Sequence, residues 1–294
     1  MNIKNFLEKF SPNDFPVGLG GCKNSEHSYN CCEYNITIFD GKKQEDSIEE
    51  FENELVKIHH ASLNETNSNI LMQFHNMKII LDEQWELQML LSKIKESKEK
   101  IFNDSAKNCL FDSLFCLTKS ENGLKRSDPF SSSWQKCAAF FIADAISILN
   151  STRPSPTHML DYIREFKKNR INEKFSVINQ CIGIERATPS LLSRMCKSTI
   201  GFSNMVEKNN YSKIIQVKYN YLIKNSLLSD CYFYLGYINR NNIMKIKDSL
   251  HRKPELIHIL KVGFDIENDS TKVEQNIQLL RNATNTLMNS ITNA

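Results

Sequence analysis

Hydrophobic and polar positions follow one rhythm near the amino terminus and another behind it. Phe15-Pro16-Val17-Gly18-Leu19-Gly20-Gly21 reads as a short strand running into a glycine turn. Tyr34-Asn35-Ile36-Thr37-Ile38-Phe39 reads as a second strand, stopped by Asp40-Gly41. β-Branched and aromatic side chains suit the pleated, half-buried surface of a sheet. Leu55-Val56-Lys57-Ile58-His59 and Asn76-Met77-Lys78-Ile79-Ile80-Leu81 are further strand candidates.

From Asp82 the period lengthens. Trp85, Leu87, Leu90, Leu91 and Ile94 recur at helical spacing, and Lys93, Lys95, Lys98 and Lys100 take the polar face. More helices are expected over 105–119, 133–150, 155–169, 172–184, 188–208, 211–228 and 273–291. Ser155-Pro156 and Thr188-Pro189 read as helix starts, a capping hydroxyl followed by a proline whose missing N–H costs nothing in the first turn. The segment Ser120 to Pro129 is the expected flexible connector. Strands first and helices afterwards predict an α+β chain, with an α/β head at about 1–100 and an all-α helical domain at 101–294.

Composition narrows the class. The 294 residues are 40% hydrophobic and 24% charged, ordinary for a chain that buries a core. A net charge of +3 gives no field that argues for nucleic acid or an anionic membrane. The start, Met1 to Phe10, is amphipathic and mixed in charge, unlike a signal peptide. The most apolar run, Cys137 to Leu149, is broken by Asp144 and is too short to span a bilayer, so it reads as a buried helix. Nine cysteines, an odd number in a chain without an export signal, predict reduced thiols and a cytoplasmic protein with no membrane partner.

Glycine and proline, 9 and 7 in all, crowd early: Pro12, Pro16, Gly18, Gly20, Gly21 and Gly41 fall within the first 41 residues. The pattern Val17-Gly18-Leu19-Gly20-Gly21-Cys22, with Glu33-Tyr34-Asn35 opening the next strand, resembles the nucleotidyltransferase superfamily, the DNA polymerase β-like fold. There an apolar strand ends in Gly-Gly-Ser or Gly-Ser, and a later strand begins with Asp-x-Asp. Two further stretches are similar to that family. Lys78 to Leu87 looks like the strand and turn that close the catalytic domain, and Ala143 to Asn150 with Arg153 to His158 looks like the start of the helical domain behind it. Together they cover about half the chain.

The resemblance implies a small mixed-sheet head that binds a nucleoside triphosphate at Gly20, Gly21 and Cys22, where bare backbone can approach phosphates. It implies Glu33 and Asn35 as catalytic, metal-binding residues, with magnesium or manganese steadying a nucleotidyl transfer to an RNA or protein acceptor. The sequence departs from the pattern at those positions. Glu33 and Asn35 replace two aspartates, Cys22 replaces serine, and no clear third acid can be placed in Glu54 to His60, where Lys57 and His59, or else Glu54 at the strand's edge, look inward. Asn35 carries no charge, which weakens a magnesium site. A divergent member with a degenerate metal motif, serving as a nucleotide-binding or scaffold protein without catalysis, is therefore the alternative; a helical interaction protein is the other.

Competing constellations carry less. Cys22, His27, Cys31 and Cys32 are zinc-type ligands, but their spacing matches no paired-knuckle site. His59, His60 and His75 read as surface histidines, and Ser131-Ser132-Ser133 as a helix N-cap. Arg164, Lys167, Lys168 and Arg170 read as a solvated helix end, and the six tyrosines between Tyr211 and Tyr237 as core with hydroxyl tips outward.

Overall fold

A computed structural model describes residues 3–10, 15–25, 27–207 and 209–292. Met1, Asn2, Pro12 and, at the end of the expected 188–208 helix, Lys208 lie outside them. The fold is α+β, a five-stranded mixed sheet followed by helices. Contacts divide the chain into two compact units, Met1–Asp104 with Asn209–Ile214, and Ser105–Lys208 with Ile215–Ala294.

In the first unit, helix α1 (Ile3–Phe10) precedes strands β1 (Val17–Gly20), β2 (Tyr34–Ile38), β3 (Ser47–Phe51) and β4 (Glu54–His60), then helix α2 (Ser68–Phe74), strand β5 (Lys78–Leu81) and helix α3 (Glu86–Glu96). The sheet order is β3-β4-β2-β1-β5, with β2 and β4 parallel and the other neighbours antiparallel. Strand alternation sorts its two faces. Val17, Leu19, Ile36, Ile38, Val56 and Ile58 form one apolar face, covered by Phe6 and Leu7 of α1. Phe6 meets Phe51 edge to face at 5.3 Å, the geometry that aromatic quadrupoles favour. Residues of the opposite parity, Gly18, Gly20, Asn35, Thr37, Lys57 and His59, belong to the other face.

Strand β3 is an element that the apolar pattern does not announce. It pairs with β4 through the two-residue turn Glu52-Asn53, whose φ values of 50° and 62° are both left-handed. Such turns match the twist of a hairpin, and asparagine tolerates the conformation. Helix α2, also unannounced, starts at the Asn67 cap, whose side chain accepts from the Asn69 N–H at 2.9 Å.

The second unit holds most of α4 (Lys98–Lys125), with α5 (Ser131–Leu149), α6 (Met159–Glu165), α7 (Phe175–Ile182), α8 (Pro189–Val206), most of α9 (Tyr211–Lys224), α10 (Leu228–Lys245), α11 (Leu256–Gly263) and α12 (Ser270–Thr292). Helix α5 lies at its centre, buried from Ser131 to Ile148 and packed against α7, α10 and α12. Among the described residues no helix is long and apolar enough to cross a membrane. Thr188 caps α8 as expected, accepting from the Leu191 N–H at 3.3 Å with Pro189 in the first turn.

Four expectations are corrected here. Helix α4 runs on to Lys125, so only the second half of the Ser120–Pro129 connector leaves the helix. Helix α6 begins at Met159, because Ser155 and Pro156 form a turn in which the Ser155 carbonyl accepts from the His158 N–H at 2.8 Å. Ser131, Ser132 and Ser133 lie inside α5 and are buried; the Asp128 carboxylate, which accepts from the Phe130 N–H, holds the start instead. The Ser132 hydroxyl donates to the Glu267 carbonyl at 2.6 Å, a role unrelated to capping. The stretch from 228 to 245 is also helical, continuous as α10 and bearing the buried Tyr232, Tyr234 and Tyr237.

Candidate functional site

The glycine turn follows β1 directly. Gly20 pairs with Asn35 across the antiparallel β1–β2 ladder, so the turn and the start of β2 are neighbours. Gly21 adopts φ 72° and ψ −168°, a region open essentially to glycine alone. It is exposed, and a Cβ there would run into the amide of Asn35. The turn is therefore bare backbone with one carboxamide packed on it. Cys22 then starts a single 3-10 turn, Cys22–Asn24, and its side chain is buried at 6% exposure. The Asn24 side chain anchors the turn by donating to the Asn76 carbonyl at 2.6 Å, just ahead of β5.

Glu33 lies one residue before β2 and is buried at 6% exposure, while Asn35 is half-buried within the strand. Asn35 is thus brought next to the glycine turn, and neither side chain is turned out into bulk water. Beside Asn35, in the parallel β2–β4 register, stands Lys57, and beside Thr37 stands His59. Lys57 and His59, expected to face inward, do share this face, and Glu54, the other candidate, pairs with Lys23 at 3.4 Å.

The acid that does serve this face is Asp46, just ahead of β3. Its carboxylate lies 3.0 Å from Lys57 Nζ and 2.7 Å from His59 Nδ1. Burial would raise its pKa, but the His59 hydrogen bond and the Lys57 charge outweigh it and hold the carboxyl well below the usual range. An ionised carboxylate can only accept, so His59 donates through Nδ1–H. Lys57 Nζ also sits 5.5 Å from the centre of the Tyr211 ring, an attraction between cation and aromatic face. His60 points the opposite way, as adjacent strand residues must, and pairs with Asp40 at 2.9 Å. Neither His59 nor His60 is the lone surface histidine expected of it: the two aspartates, both outside the expected strands, hold them.

A divalent ion of the expected kind needs converging oxygen ligands that are not already neutralised. Among the described residues, Glu33 and Asp46 belong to no cluster of three potential ligand atoms. With Asn35 uncharged and Lys57 alongside it, this donor set does not fit a magnesium or manganese pair. The zinc-type set does not assemble either. Cys22 and Cys32 bring their sulfurs within 4.8 Å of each other, but Cys31 does not join them in a common cluster and His27 is exposed.

In the helical unit the buried Asp144 and Asp230 are each paired with an arginine. Arg240 lies 2.8 Å from Asp144, which also accepts from the Tyr237 hydroxyl at 2.9 Å. Arg164, Lys167, Lys168 and Arg170 are all exposed as expected, and Arg164 also makes a two-pronged contact with the buried Asp230 at 3.1 and 2.7 Å. These pairs join α5 to α10 and α6 to α10.

No protein-family model matches the sequence, and a comparison with curated proteins finds no match. Among solved structures the chain is similar to a nucleotidyltransferase-like protein from Exiguobacterium sibiricum 255-15, at 8% identity. The similarity covers 85% of this chain and 87% of that chain, with a TM-score of 0.38. A TM-score that low lends no weight to any statement about this chain.

Proposed function

We propose that the head is a nucleotidyltransferase-like domain that binds a nucleoside triphosphate at Gly20, Gly21 and Cys22 without a divalent ion and without transferring the nucleotidyl group. One observation carries this reading: Lys57 stands beside Asn35 on the sheet face next to the glycine turn, where metal-dependent transfer would need a carboxylate. Phosphate oxygens seek N–H donors and cations, and this face offers the exposed Gly21 backbone, the Asn35 amide and the Lys57 ammonium. Glu33 at the strand entry is a single acid, and alone it cannot offset two metal charges.

Thermal unfolding of the protein with each of the four ribonucleoside triphosphates, in excess magnesium or manganese and in excess chelator, tests it. The expected result is stabilisation by at least one triphosphate of equal size in both conditions, with no pyrophosphate released. Stabilisation that appears only with metal would return Glu33 and Asn35 to a catalytic role and raise the question of an RNA or protein acceptor. No stabilisation by any triphosphate would remove the nucleotide from the account.

A further inference from the structure

We propose that Lys57 and His59 seat the terminal phosphate of the triphosphate, and that Asp46 fills that seat in the free protein with a carboxylate which the phosphate displaces. The inference rests on the nucleotide reading above and assigns the far end of the phosphate chain. Gly20 pairs with Asn35, and Asn35 with Lys57, so the three form a row across the adjacent strands β1, β2 and β4. At about 4.8 Å between strands, a phosphate chain that starts on the Gly21 backbone and follows this row reaches Lys57 within about 10 Å. His59 stands two residues further along β4 on the same face, about 7 Å on by strand rise.

One anion already engages both donors. The Asp46 carboxylate lies 3.0 Å from Lys57 Nζ through one oxygen and 2.7 Å from His59 Nδ1 through the other. A phosphate group brings the same two donors more negative charge and three acceptor oxygens. The acid is also the part that can give way. Lys57 and His59 sit on β4, which is paired on one side by β2 and on the other by β3. Asp46 ends the segment between β2 and β3, where residues 41–45 are exposed, and its own side chain is 36% exposed. Rotation about its side-chain bonds turns the carboxylate into water without moving a strand. The Tyr211 ring stays 5.5 Å from Lys57 Nζ and holds the ammonium in place when the carboxylate leaves.

The sign of one substitution decides the matter. If Asp46 competes with the ligand, removing its charge tightens binding; if it only aims Lys57 and His59 at the ligand, removing it weakens binding. Calorimetric titration of the full-length protein in excess chelator, with inorganic triphosphate and with the ribonucleoside triphosphate that stabilises most, measures the dissociation constants. Asp46→Asn should lower both by the same factor, roughly two- to five-fold, the strength of a partly exposed ion pair read as affinity. Glu45→Gln removes one charge from the exposed neighbouring position, where salt screens it, and should leave both nearly unchanged. Should Asp46→Asn lose its cooperative unfolding transition, Asp46→Ser carries the same expectation. Wild-type binding that Asp46→Asn weakens or leaves alone would overturn this proposal and spare the nucleotide reading, as would tightening confined to the nucleoside triphosphate, which would put Asp46 against sugar or base. Binding of neither ligand to either protein would overturn both.

Discussion

Replacing Lys136 by methionine should stabilise the helical unit at pH 6, and the gain should disappear as the pH rises. Lys136 lies on α5 with 2% exposure, its Nζ 3.0 Å from the Tyr232 hydroxyl and 2.7 Å from the Asp265 carbonyl. Burial pushes its pKa from the ordinary 10.5 down to about 7. Among its charged neighbours Asp265, Glu267 and Glu185 resist that shift, and Arg186 adds to it. At about 1.36 kcal/mol per pH unit, the difference amounts to roughly 5 kcal/mol of disfavoured charge. The folded value lies below the unfolded one. Below about pH 7 both states hold the proton, and the folded state bears the whole cost of a buried ammonium. Between about pH 7 and 10.5 the unfolded chain holds more protons, so this lysine makes stability climb with pH.

Methionine keeps the length of the side chain and removes the charge. Against that gain stand the lost hydrogen bonds, about 1–3 kcal/mol. Tyr232 keeps two acceptors within reach, the Ile182 carbonyl at 2.8 Å and the Asp265 carboxylate at 2.7 Å, and Asp265 keeps Arg186 at 2.9 Å. A net gain of about 2–4 kcal/mol at pH 6 follows, the size seen when buried charges give way to well-packed apolar groups. By pH 9 about 2 kcal/mol of the charge cost remains, so the net effect should lie near zero. Urea unfolding at pH 6, 7.5 and 9 measures it, followed by the fluorescence of Trp134, which is 5% exposed and lies two residues before Lys136. Wild type and variant running parallel across that range would mean that Lys136 keeps its proton in the fold, and the reasoning would fail.

Two substitutions test the head. Asp46→Asn should cost about 1 kcal/mol at pH 7, the scale of a partly exposed ion pair. Because the folded carboxyl titrates below its ordinary 3.8, that contribution is complete above about pH 4 and drains away as the pH falls further; equal costs at pH 7 and pH 3 in chemical denaturation would remove Asp46 from the pairing. Gly21→Ala should cost about 1–3 kcal/mol in strain, plus displacement of the Asn35 amide. Gly41→Ala is the control, since Gly41 shares the left-handed φ, at 68°, but has nothing within 4 Å of an added Cβ. Matching losses of melting temperature in the two variants would show that Asn35 does not press on the turn.

The elements that the sequence reveals are those whose burial is one-sided. Strands β1 and β2 alternate cleanly because one face meets α1 and the other carries glycines in β1 and polar groups in β2, and α8 declares itself through Thr188-Pro189. Strand β3 hides because Glu49 and Glu50 break the apolar signal of an edge strand and its turn uses Glu52-Asn53 without a glycine. Helix α10 hides for the opposite reason. Residues 230 to 240 are all buried, so no polar face marks a period. Helix α5 is equally enclosed, and only its apolar run, interrupted at Asp144, gives it away.

The site follows the same division. The Gly20–Cys22 turn and the Glu33–Asn35 pair are legible because each is local: a glycine cluster, and two residues spaced to share one side of a strand. Asp46 is not legible, because its meaning comes from register. It lies 13 residues from His59 in sequence and reaches 2.7 Å only because β3 folds back on β4. Spacing tells which side chains share a strand face; pairing decides which charge stands beside them. Lys57 is visible in the sequence as an inward-facing residue, yet only the parallel β2–β4 ladder puts it next to Asn35. Under the proposed reading, that one neighbour makes the face beside Asn35 receptive to an anion. The exchange Lys57→Asp is therefore the informative one: if the cation is what receives phosphate, triphosphate stabilisation should be lost in chelator, and stabilisation undiminished there would place the phosphates elsewhere.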